Sequence, residues 1–191
     1  MEGSAAGTRA LRLGLLCLVC VAAGCAASPP AHPPADARGV PCRFLTQPIA
    51  ARISGDAGLT NLATNVAEGE SGYIACIFTD AMNEANVVEV QIKRVAGGVT
   101  PSALQVAARY FSAGEPVQPF QPFAAVGIGE RALGESTPGV AFIVFSEGNA
   151  LVSVGADSSF RSVAALQAGV DDLAKQVAAG LWPDRMLGLA G

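Results

Sequence analysis

Val88-Glu89-Val90-Gln91-Ile92-Lys93 is the stretch that decides how this chain folds. Branched apolar residues fall at every second position with polar ones between them. Only a β-strand, whose side chains alternate between two faces, turns that pattern into one buried and one half-exposed side. Upstream, Tyr73 to Thr79 places Ile74, Cys76 and Phe78 on one face, behind the turn Glu68-Gly69-Glu70-Ser71-Gly72 and a shorter strand over Leu62 to Val66. Earlier still, Thr46 caps a short helix with Pro48 in its first turn, Ile49 and Ile53 on one face and Gly55 as its stop. Downstream, Thr100-Pro101 opens a helix with Leu104, Ala107, Ala108 and Phe111 at helical spacing. Val140 to Ser146 and Ala150 to Val154 then flank Glu147-Gly148-Asn149, a hairpin signature. A last helix runs from about Ser159 to Leu181, with Val163, Leu166, Val170, Leu173, Val177 and Leu181 forming one stripe and Trp182-Pro183 ending it. The order α-β-β-β-α-β-β-α predicts an α+β fold. It is an antiparallel sheet of about five strands with helices packed on one face, in a single domain over residues 42–191.

Composition bounds the rest. The chain has 191 residues, 51% hydrophobic and 15% charged, with a formal net charge of −4. That is one domain plus a tail, too apolar to be disordered and too weakly charged to bind nucleic acid through a basic surface. Its one histidine, His32, removes most metal and triad chemistry.

Residues 1–24 read as a lipoprotein signal peptide. Arg9 and Arg12 face one acid, Glu2, and an apolar run follows from Leu13 to Ala23. Eleven helical residues reach about 16 Å, half of a hydrocarbon core, so a transmembrane anchor is the poorer reading. The run ends in Val21-Ala22-Ala23-Gly24-Cys25, which resembles the bacterial lipobox, with Cys25 as the lipidated residue. Ordinary signal cleavage at Ala22-Ala23-Gly24 or Ala23-Gly24-Cys25 is the alternative. Two or three acyl chains anchor stably, which places the chain on the extracytoplasmic face of the cell membrane. Loss of the signal leaves a chain of net charge −5, which anionic headgroups repel, so the lipid alone must hold it. Residues 25–41 then form a tether of Ala, Ser, Pro and Gly. Its Pro29-Pro30 and Pro33-Pro34 favour polyproline II, and His32 is a solvated linker histidine.

Cys17 and Cys20 leave with the signal and Cys25 is capped by lipid. Cys42 and Cys76 remain, an even pair in an oxidising space, and are expected to form a disulfide. A reactive thiol is the rival, but no basic residue adjoins Cys76 to lower its pKa.

Little else carries chemistry. Gly127-Ile128-Gly129-Glu130-Arg131-Ala132 matches the loose dinucleotide fingerprint without the βαβ context it needs, and reads as a turn before a short strand. Asp171 and Asp172 are adjacent on a helix and cannot face each other, and Lys175 sits four residues from Asp171 as an ion-pair partner. A Ser–Lys dyad would need Lys93 or Lys175, both on polar faces. These absences argue against an enzyme, and no cofactor or metal is expected. Pro116-Val117-Gln118-Pro119-Phe120-Gln121-Pro122-Phe123 is the most unusual composition. Phe120 and Phe123 read either as aromatics that plug the edge of the core or as a lip over a binding groove.

Pro41-Cys42-Arg43-Phe44-Leu45-Thr46, Cys76 followed by an aromatic, and Val126-Gly127-Ile128-Gly129-Glu130-Arg131-Ala132 resemble a family of unknown function among actinobacterial envelope lipoproteins. The resemblance spans residues 42–181 and implies a disulfide-bearing α+β domain outside the cell, with no activity attached. The expected function is a non-catalytic binding or sensing module for an apolar envelope molecule or peptide. The alternative is an accessory subunit docking a partner envelope protein.

Overall fold

The structure is a computed structural model that describes residues 40–68, 72–82, 86–111 and 118–186. In chain order the elements are α1 (Val40–Phe44), α2 (Gln47–Ser54), β1 (Thr60–Glu68), β2 (Tyr73–Thr79), β3 (Val87–Arg94) and α3 (Pro101–Phe111). They continue with β4 (Gln121–Phe123), β5 (Arg131–Thr137), β6 (Val140–Glu147), β7 (Ala150–Asp157) and α4 (Val163–Met186). All seven strands join one antiparallel sheet in the order β1-β2-β3-β7-β6-β5-β4. Two meanders, β1–β3 and β4–β7, meet where β3 pairs with β7, so the decisive strand sits in the centre of the sheet. The described residues belong to one compact unit and form a single α+β domain.

Seven strands correct the expectation of about five. The two extra ones are β4, three residues long with a proline in it, and β5, the short strand expected after the Gly127–Gly129 turn but not counted among the five. In β5 the residues facing α4 are Ala132, Gly134 and Ser136, too small and polar to give an apolar alternation. Gly134 has a steric reason. A Cβ there would lie 3.0 Å from the Phe123 ring, so the strand gives up its side chain to seat the aromatic.

The helices are also not on one face. Val88, Val90 and Ile92 of β3, Ile143 and Phe145 of β6, and Val152 and Val154 of β7 pack with Ala50 and Ile53 of α2 and with Leu166, Val170, Leu173 and Val177 of α4. The intervening Phe142 and Val144 of β6, with Leu151 of β7, pack instead against Leu104, Ala107 and Ala108 of α3. Sheet side chains alternate, so α3 lies on the opposite face. Strands β6 and β7 are therefore covered on both sides, which is why they are almost continuously apolar. Gln91, expected on the half-exposed side of β3, is buried and donates from Nε2 to Glu89 Oε2 at 2.9 Å.

The Cys42–Cys76 disulfide is present and ties α1 to β2. The helix it holds is a separate short turn, α1, rather than the capped helix that follows. That second helix has Thr46 at its N-cap, Pro48 in its first turn and Gly55 closing it at φ 78°, as its sequence predicts, although the Thr46 hydroxyl makes no cap hydrogen bond. Arg43 Nη2 donates to Gly180 O at 2.7 Å and so pins α1 to α4 as well. Helix α4 starts at Val163 rather than near Ser159, and Ser162 caps it through Oγ, which accepts from Ala165 N–H at 3.3 Å. The helix also runs past the expected stop at Trp182-Pro183 to Met186.

Candidate functional site

Helix α4 buries Leu166, Val170, Leu173 and Val177 against the sheet and turns small residues outward. Ala164 and Ala168, one turn apart, leave its outer surface low, and a groove runs along each side of it. The first, about 370 Å³, lies between α4 and the segment following β4. Phe123, Ala164 and Ala168 are apolar in its lining, and Val126, 73% exposed, stands beside them. The polar groups are Gln167 and the Asp171–Lys175 pair. Gln167 donates from Nε2 to Ser136 Oγ at 2.8 Å, which holds its amide in place and leaves the carbonyl oxygen able to accept. Lys175 Nζ lies 2.6 Å from Asp171 Oδ2. That hydrogen bond raises the lysine pKa, since it favours the charged form of the amine. The site offers apolar contact, one amide acceptor and one ion pair.

The second groove, about 280 Å³, lies on the other side of α4 and shares Ala168. Here Arg52 of α2 and Arg161, just before α4, stand with Asp172 over Ile53, Ala165 and Gly169. Arg161 Nη2 donates to Arg52 O at 2.8 Å. Gly169 has no side chain because a Cβ would press on Ile53 at 3.1 Å, and that close approach sets how near α2 comes to α4.

Phe120 and Phe123 do not form one lip. Phe120 stacks edge-on to Phe142 at 5.5 Å between centroids and belongs to the α3 side of the sheet, while Phe123 packs on the α4 side and lines the first groove. They stand three positions apart along extended chain, an odd step, so they point to opposite faces. Phe120 plugs the smaller core. Phe123 does that for the larger core and borders the groove too.

The other sequence motifs take structural places. Gly127 and Gly129 have φ of 72° and 55° in the turn before β5, Ile128 between them is buried, and Glu130 N–H donates to Ser146 O at 2.8 Å. A strand follows this turn, where a dinucleotide site needs a helix N-terminus. Lys93 Nζ lies 5.2 Å from the Tyr73 ring centroid. Asp171 and Asp172 line different grooves. Residues 1–24, Cys25, His32 and the tether as far as residue 39 lie outside the described residues, while Val40 and Pro41, expected to end the tether, open α1 instead.

Sequence reasoning missed Ala164, Ala168, Gln167, Arg52 and Arg161. A signal existed in Ala164-Ala165 and Ala168-Gly169, small pairs one turn apart on a helix whose other side carries the Leu and Val stripe. Among the described residues no group of His, Cys, Asp or Glu is arranged to hold a metal ion, and no helix is long and apolar enough to cross a membrane. Compared with family models, with curated proteins and with solved structures, the chain matches none.

Proposed function

We propose that this chain is a membrane-anchored, extracytoplasmic lipoprotein whose folded domain is a non-catalytic binding module, with the Phe123 groove of α4 as its site. One observation carries the reading: apolar Phe123, Ala164 and Ala168 lie in one groove with a fixed amide and an ion pair at hand. That combination suits a small apolar molecule or peptide side chain with a polar edge. The anchor rests on the signal ending at Cys25, which puts the disulfide in an oxidising space.

Native mass spectrometry of the oxidised, exported protein, purified from its natural host or a close relative, tests this. Extra mass at stoichiometric occupancy, lost in Ala164→Trp, is the expected result, and the released compound names the ligand class. A bare polypeptide from every preparation sinks the ligand reading.

A second reading, a subunit docking a partner envelope protein, is favoured by Val106 and Tyr110. They are 66% and 71% exposed and one turn apart on the outer side of α3. Crosslinking from Tyr110 to one partner in the native envelope, abolished by Val106→Asp, is what that reading requires.

A further inference from the structure

We infer that the Arg161–Asp172 side of α4 is a self-complementary surface on which a second copy of this chain docks, with the two α4 helices antiparallel. The inference is independent of the ligand reading. Arg161 and Asp172 border the same groove, together with Arg52 and the small or aliphatic Ala165, Ala168, Gly169 and Ile53. Arg161 stands just before the first turn of α4 and Asp172 lies in its third, so they mark the two ends of the groove along the helix.

A two-fold axis crossing α4 at the level of Leu166 and Gln167 sends residue 161 onto 172 and residue 165 onto 168. Each Arg161 then meets Asp172 of the second copy, twice per dimer, while Ala165 meets Ala168 and lets the helix backbones come close. Isologous contacts have this reciprocity. The parallel arrangement brings Asp172 onto Asp172 and Arg161 onto Arg161, so charge selects the antiparallel one. Asp172 makes no hydrogen bond among the described residues; Lys175 attracts it as well as Asp171, but forms its hydrogen bond with Asp171. Arg52 supplies a second guanidinium beside the same carboxylate site.

The test is sedimentation equilibrium of the oxidised, exported chain carrying Cys25→Ser, so that no acyl chain contributes to association. A reversible dimer is expected, weakened about tenfold or more by Arg161→Asp or by Asp172→Arg. The double variant Arg161→Asp with Asp172→Arg restores it, because the pairs reform with exchanged signs. Circular dichroism confirms that each variant is folded. A wild-type monomer at every concentration overturns the inference. So does a dimer indifferent to the single reversals, or a double variant no better than the singles. Ligand mass measured on the same variants reports on the Phe123 groove separately.

Discussion

Asp157 closes β7 half-buried, and burial raises its carboxyl above the ordinary value of 3.8. The folded chain therefore binds that proton more tightly than the unfolded chain. Its contribution to stability is fully present below the unfolded value and is lost as pH rises through the raised one. Asp157→Asn, which cannot ionise, is expected to unfold at a higher temperature than wild type at neutral pH. The gap should close in acid, and a constant gap across a thermal series from acid to neutral pH refutes this account. Gln91 makes a different point at this scale. Its place in the alternation of β3 was legible, but its burial was not, because α3 and the second sheet face are contributed by residues far along the chain.

At the scale of elements, α1 is five residues long, below the length at which a helix holds itself together in water. It is kept in place by the bridge to β2, by Arg43 on Gly180 and by the Phe44 ring lying against Gly180. Replacing Cys42 and Cys76 together by Ser is expected to cost about 3 to 5 kcal/mol for the 34-residue separation. Chemical denaturation, with and without a reductant, checks it. Wild type should fall to the variant's stability when reduced, and no effect of reductant would show the bridge to be idle. A polar network does similar work where α2, β3 and α4 meet. Asn86 Nδ2 donates to Asp56 Oδ2, its Oδ1 accepts from Ser159 N–H, and the Ser158 hydroxyl donates to Ser54 O. These residues are 30 to 104 positions apart, and no local pattern announces them.

For the whole molecule, the separation of Phe120 from Phe123 across the sheet predicts that their variants behave differently. Phe120→Ser removes a ring from the smaller core and is expected to destabilise by about 1 to 3 kcal/mol while leaving the α4 groove and any bound mass intact. Phe123→Ser removes apolar surface from the groove and should lose the ligand as well as stability. Unfolding curves and native mass spectra of both variants check this, and equal loss of ligand in the two would return them to one shared lip.

Local pattern determined much of this protein. The ends of β2, the alternation of β3, the β6–β7 hairpin, the start and stop of α2 and the buried stripe of α4 follow from side-chain period, proline and glycine, which act over a few residues. The cysteine count, once Cys17, Cys20 and Cys25 are set aside on the signal-and-lipid reading, left the pair that the structure joins. Tertiary structure alone decided which face each helix covers, that β3 pairs with β7, that β4 and β5 extend the sheet, and that Arg52 of α2 comes to stand beside Arg161. The physical reason is range. Periodicity tells a strand that it has a buried side, but which element buries it depends on contacts between residues far apart in the chain. The grooves beside α4 depend on such contacts too, since they lie between α4 and segments distant from it in sequence.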